Sequence, residues 1–332
     1  MALCGVNRID DMLGGSTQAL PLATGDNDVA AVGVVQDFLA CQGQRGMPGP
    51  LSGAWGRYGS QTTQAVGEFQ RDCGLPASGQ VYLSTLRALV ERPAPAATAT
   101  RGYLALVLDI EYQGITRLMS LTSQFEGAGR FGAVNLNSDR AGLSFGLIQW
   151  AQKPGRLNEL LRSFSDSAPE DFVRILGGGD AGLARGLIAH TAKPRGGTDS
   201  LGVTTNPQFD LVVEPWLARF RAAARERRLQ KVQVQTAAAD FASSLARLRV
   251  YAPELTTERE IAFMLDLANQ HGDAGARSIR DTAGSKLIDM AAESEKRVAA
   301  QFGADSNELA STRTRRNAFR TSALLSDARF ED

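Results

Sequence analysis

Residues 91–101, Glu-Arg-Pro-Ala-Pro-Ala-Ala-Thr-Ala-Thr-Arg, show neither the 3.6-residue period of an amphipathic helix nor the alternation of a half-buried strand. Pro93 and Pro95 each remove a backbone donor and bias the residue before them toward extended conformations. Such a stretch reads as a semi-rigid extended linker, so a chain of 332 residues has to fold as more than one module. The expected division is an N-terminal arm over residues 1–27, a compact helical module over 28–90, the linker, and one larger domain over 102–332. With 43% apolar residues there is material for a core in each module.

Within residues 28–90, Asp28 is placed to cap a helix whose apolar positions Val32, Val35, Phe38 and Leu39 recur at helical spacing. The segment Gly53-Ala-Trp-Gly-Arg-Tyr-Gly59 is turn-rich. A second helix is expected from Ser60 through Ala65, Val66 and Phe69 to Cys73, stopped by Gly74. Thr85, Leu86 and Leu89 predict a short third helix.

Residues 102–332 read as mostly helical. One helix over 115–126 leads into Glu126, and the run Leu143–Trp150 reads as a short hairpin or a strand entering a helix. Residues 214–249 form an Ala/Arg/Leu-rich helix with Trp216, Leu217, Phe220 and Ala224 on one face. Thr257-Glu-Arg-Glu260 is a capping-box pattern, and a further helix is expected over 285–302. The runs Gly177–Gly179 and Lys193–Pro207 read as loops. The basic runs Arg225–Arg228 and Arg313–Arg320 read most simply as solvated helix faces, with contact to an acidic polymer as the alternative for either. The fold class is therefore mainly α, a small three-helix bundle joined to a larger α+β domain with a short β-hairpin.

Composition removes several chemistries. Formal net charge is zero, so nothing draws the chain toward nucleic acid. No apolar run approaches the ~18–20 residues that membrane insertion needs. The first residues lack the basic start and apolar stretch of a signal peptide. The two histidines, His190 and His271, have no ligand-like spacing, which speaks against zinc. The three cysteines, Cys4, Cys41 and Cys73, all precede residue 102, so no Cys/His peptidase is available in the larger domain. Cys41 and Cys73 are expected either as a disulfide or as two free buried thiols. A Gly-x-Ser-x-Gly elbow is absent, and no cofactor is implied.

Two carboxylates remain in suggestive settings. Glu126 closes its helix, where the negative end of the macrodipole and the apolar neighbours Leu121 and Phe125 favour a protonated carboxyl. A carboxyl that keeps its proton near neutral pH is a general acid. Asp139 heads the string Asp139-Arg-Ala-Gly142-Leu-Ser144-Phe-Gly146-Leu147-Ile148. It is either a base or an ordinary turn residue.

Family resemblances sharpen both halves. The strings Val35-Gln36-x-x-Leu39, Gly56-Arg-Tyr-Gly59-x-x-Thr62, Ala65-Val66-x-x-Phe69-Gln70, Gly74-Leu75, Gly79-x-Val81 and Thr85-x-x-x-Leu89 resemble the peptidoglycan-binding domain 1 repeat. That implies a non-catalytic three-helix module that docks on bacterial cell wall. Trp55 and Tyr58 either contact sugar or stem peptide, or pack the loop. The hairpin string after Glu126 is similar to the lysozyme-like superfamily, with the family 46 chitosanases closest and the phage lysozymes related. Trp216-Leu, Gln233-x-Gln235 and Asn269-Gln-His271-Gly272 echo helices of those chitosanases more faintly.

Carried over, the resemblance makes Glu126 the acid, Asp139 the base toward a water, and Ser144 a hydroxyl that orients it. Gln149 is expected to hydrogen-bond an N-acetyl or hydroxyl group, and Trp150 either stacks on sugar or fills core. An inverting mechanism would set the two carboxyls ~6.5–9.5 Å apart. The expectation is a peptidoglycan hydrolase cutting the β-1,4 bond between N-acetylmuramic acid and N-acetylglucosamine. Chitosanase, lytic transglycosylase and a catalytically dead wall-binding protein are the alternatives. Such an enzyme is expected to be made in the cytoplasm and to reach the wall as a phage endolysin or delivered effector, with an export apparatus or an immunity protein as partner.

Overall fold

The computed structural model describes residues 3–19, 21–136, 142–192 and 206–331. It is mostly helical, with a small three-stranded antiparallel sheet of order β1-β2-β3. The chain divides into two compact units, Met1–Tyr112 with Glu126–Ala237, and Gln113–Phe125 with Ala238–Asp332. Among the described residues no helix is long and apolar enough to cross a membrane.

The first unit opens with α1 (Asn7–Leu13), α2 (Val29–Cys41), α3 (Ser60–Asp72) and α4 (Leu83–Glu91). Asp28 caps α2 by accepting from the Ala31 amide at 3.0 Å. Apolar residues surround α2 on all sides, and it is the central helix, with Val32, Val35 and Leu39 at 0% exposure. The described residues before Asp28 are packed on the module that follows. Ile9 and Met12 of α1 are fully buried, α1 packs on α2 and α4, and the Leu22 and Val81 backbones exchange two hydrogen bonds. Arg8 ties this segment down through Asp26 and the carbonyls of Ala19 and Pro21.

In the Pro/Ala/Thr stretch Pro93 and Pro95 are exposed, but Ala97, Thr98, Ala99 and Thr100 are all buried. The reason is backbone pairing. Ala96 donates to the Cys41 carbonyl at the end of α2, Ala99 donates to Gly129, and Phe131 donates back to Ala97. Cys41 and Cys73 are free thiols with separate partners: Cys41 Sγ lies 3.1 Å from Thr98 Oγ1, and Cys73 Sγ accepts from Arg92.

After a π-helical turn, Tyr103–Val107, come α5 (Gly114–Gly127) and the strands β1 (Val134–Leu136), β2 (Leu143–Phe145) and β3 (Trp150–Ala151). Helices α6 (Arg156–Ser167), α7 (Pro169–Ile175) and α8 (Ala181–Thr191) follow, and α6 packs on β3, α7 and α8. Of the expected 193–207 loop, residues 193–205 lie outside the described residues. The single helix expected over 214–249 is two, α9 (Trp216–Ala223) and α10 (Arg227–Tyr251). The break is built by Gln230, 1% exposed, whose amide takes the Ala224 carbonyl at the end of α9. A carbonyl already satisfied from the side has no need of a continuing helix.

The second unit contains α11 (Glu258–Ala283), α12 (Leu287–Phe302) and α13 (Asn307–Thr321), which pack on one another. Thr257 and Glu260 form the expected capping box, and Gly272 (φ 72°, ψ 162°) kinks α11. The basic run on α13 is only partly solvated. Arg315 and Arg316 are 6% and 0% exposed, because both reach the carboxylate of Asp266 on α11, itself 0% exposed. Their guanidinium groups also lie over the rings of Phe125 and Phe263, and Arg316 donates to Gln270 Oε1. His271 sits beside this cluster against Ser294 Oγ, and burial with the Arg316, Arg297 and Arg315 charges depresses it to about 4.

Removing one member of a buried ion pair strands the other charge. Asp266→Ala is expected to lower stability by about 3–5 kcal/mol in urea titrations. A loss below ~1 kcal/mol, the range of surface pairs, would contradict this account.

Candidate functional site

In the module of residues 28–89, two buried glutamines organise the turns. Gln36, 1% exposed, donates to the Arg57 carbonyl and Thr62 Oγ1 and accepts from the Gly56 amide at 2.8 Å. Gln70 repeats the device, donating to the Gln80 carbonyl and Thr85 Oγ1 and accepting from Gly79. The polar landmarks of the module are thus partners of one another inside the fold, which satisfies buried backbone groups. Tyr58 belongs to the same set. It is 3% exposed and its hydroxyl donates to the Gly79 carbonyl at 2.7 Å, so it presents no ring face to a ligand.

Trp55 is half-buried and lies over α2 at Gly33, where an added Cβ would come within 2.1 Å of the indole. Its Nε1 donates to Asp37 Oδ1 at 3.0 Å. Burial raises the Asp37 carboxyl from 3.8 to about 8, with the Trp55 hydrogen bond and the Arg101 charge opposing the rise.

Glu126 is half-buried in the last turn of α5. The helix ends on Gly127, whose carbonyl accepts from both the backbone N–H and Nε of Arg130, a cation at the negative end of the helix. The following loop is fixed from two sides. Residues 97–99 pair with Gly129 and Phe131, and the Gln233 amide nitrogen donates to the Phe131 carbonyl at 3.0 Å.

The sheet begins immediately afterwards. β1 and β2 pair Val134 with Phe145, Asn135 with Ser144 and Leu136 with Leu143. β2 and β3 pair Ser144 with Ala151 and Phe145 with Trp150. In the turn between them, Gln233 Oε1 accepts from the Leu147 amide at 3.1 Å. A Cβ on Gly146, at φ +82°, would lie 2.5 Å from that oxygen, so the close approach requires glycine. Gln149 holds φ +54°, and its amide nitrogen donates to the carbonyls of Ala133 and Gly146. The same nitrogen is 3.7 Å from the Cβ position of Gly127, so the turn and the end of α5 stand side by side.

The structure therefore brings Gln149 to the residue next to Glu126 and sets Ser144 in the central strand at 4% exposure. Asp139 lies outside the described residues. Trp150 is 1% exposed, as the apolar run before it requires, so it fills core and offers no stacking surface. Gln233, wholly buried, was marked in the sequence only by the faint Gln233-x-Gln235 likeness to chitosanase helices, with no role attached. Arg130 had no periodic signal at all. Chemically, the arrangement is a half-buried carboxyl at a helix end with the Gln149 amide beside that end.

Compared with known families, residues 28–89 match the model described as "Putative peptidoglycan binding domain". The chain carries a peptidoglycan-binding domain there, and peptidoglycan is the partner of that domain. No curated protein matches the chain.

Gln233→Leu leaves the Leu147 amide and the Phe131 carbonyl without their side-chain partner. A stability loss of about 2–5 kcal/mol is expected by chemical denaturation, and a change within ~0.5 kcal/mol would refute the clamp. Asp37 binds its proton more tightly folded than unfolded, so its contribution to stability is present at acid pH and is lost as pH rises from 3.8 to about 8. Asp37→Asn, which keeps an acceptor for the indole, is expected to flatten that decline in melting experiments. Parallel pH profiles of the two proteins would contradict the assignment.

Proposed function

We propose that the chain is a modular peptidoglycan hydrolase in which residues 28–89 hold the polymer and Glu126 acts on its glycosidic bonds. The observation that carries this reading is the half-buried Glu126, which closes α5 directly before a three-stranded antiparallel sheet in the unit that contains the peptidoglycan-binding domain. A general acid has to be held within reach of the leaving oxygen, and the clamped loop after Gly127 supplies that rigidity.

In this reading Glu126 protonates the β-1,4 oxygen between N-acetylmuramic acid and N-acetylglucosamine. Asp139 takes the proton of an attacking water, oriented by Ser144, with inversion at the anomeric carbon. Gln149, beside the helix end, supplies a hydrogen bond to the sugar. The binding domain raises the local concentration of enzyme at an insoluble substrate. Its packed junction makes it a fixed part of the same unit rather than a swinging tether. The site of action is the bacterial wall, reached after lysis or through a delivery apparatus.

The test is digestion of purified sacculi with mass spectrometry of the fragments. Reducing muramic acid ends are expected, and 1,6-anhydro ends would replace the hydrolytic reading by a transglycosylase. Glu126→Gln is expected to lower cleavage by about 10²–10⁴-fold while sacculus pull-down stays unchanged. Cleavage near the wild-type rate would remove Glu126 as the acid.

A further inference from the structure

A second feature of the first unit bears on which polymer is recognised. Where α9 breaks into α10, the chain carries Arg221, Arg225, Arg227 and Arg228. Arg221 pairs with Glu214 and Arg228 with Asp171, and Glu226 is taken by Arg174. Arg225 and Arg227 make no ion pair among the described residues, and both are exposed. Both line one cleft of about 560 Å³, together with Arg92, Asp72, Gln42 and Gln44. That volume lies within the ~300–1,000 Å³ of small-ligand sites.

The cleft is built rather than accidental. Its apolar lining comes from Phe69 and Tyr103, 2% and 4% exposed. The Tyr103 hydroxyl is fixed on Gln230, the residue that creates the helix break. Arg92 is held by its Nη1, which donates to the Asp72 carbonyl and Cys73 Sγ, while Gln42 donates to the Leu89 and Arg92 carbonyls. Three arginines and a single acidic residue, Asp72, thus line the cleft. Fork-shaped donors over an apolar floor match the carboxylates of a short peptide.

We propose that this cleft binds the carboxylate-bearing stem peptide of peptidoglycan, at a site composed of the binding domain and the start of α10. The proposal takes its polymer from the wall-hydrolase reading, whereas the ligand chemistry comes from the cleft. It also separates the substrate classes, because chitosan carries no carboxylate and its protonated amines are repelled by three arginines.

The probe is a synthetic stem tetrapeptide with free carboxylates, compared with its fully amidated form by calorimetry on the full chain. The free acid is expected to bind, with the amide weaker by about tenfold or more and acid binding weakening as salt rises. The double variant R225Q/R227Q is expected to lose about tenfold for the acid and to leave the amide unchanged. Equal binding of acid and amide, no binding of either, or a double variant that binds the acid like the wild type would each overturn the cleft assignment. Peptide binding is read without turnover. Loss of the hydrolase reading through Glu126→Gln therefore remains a separate result, and retained sacculus cleavage does not rescue a cleft that ignores charge.

Discussion

Backbone polar groups that are buried have to be paired, and residues 97–99 pair theirs with residues 129–131. This one antiparallel contact sets the geometry of much of the first unit. On one side it continues to Cys41 at the end of α2, the central helix of the peptidoglycan-binding domain. On the other it fixes the loop that leaves Glu126, and Gln233 extends the hold from Phe131 to the hairpin turn at Leu147. A proline-punctuated segment is suited to this use, since its chain is already biased to be extended and loses less entropy on pairing.

Buried polar side chains recur as the means of fixing irregular backbone. Gln36 and Gln70 hold the two turns of the binding domain, Gln230 breaks a helix, and Gln233 staples a loop to a turn. Each amide both donates and accepts, so one side chain satisfies backbone groups of opposite polarity. In the second unit the device is charged: Asp266 gathers Arg315 and Arg316. Arg259 collects the carbonyls of Phe319 and Arg320 in the last turn of α13 and those of Ser322 and Leu325 beyond it. The first two are among the carbonyls that a helix terminus leaves without partners.

Much of the fold was legible from local signals. The Asp28 cap, the Gly74 stop, the Thr257–Glu260 capping box and the apolar spacing of α2, α3 and α4 all rest on interactions within a few residues. Sequence displays these directly. The errors share the opposite character. The linker composition of residues 91–101 concealed a buried strand-like segment because its partners lie some thirty residues away. Arg315 and Arg316 read as solvated because nothing in their own helix announces Asp266. Periodicity predicted one helix over 214–249 because it does not register a glutamine that caps the chain from the side.

The candidate site divides along the same line. Sequence alone determined Glu126 at a helix end and a hairpin after it, since helix termination and turn chemistry are local, while the wall-binding reading of residues 28–90 came from a family resemblance. Tertiary structure decided that Tyr58 and Trp150 are core, because burial depends on what packs over a ring. It also brought Gln149 to the end of α5, clamped the loop with Gln233, and gathered Arg92, Arg225 and Arg227 around one cleft. Contacts between residues far apart in the chain come into being only when the backbone closes on itself, and residue order carries no local mark of them.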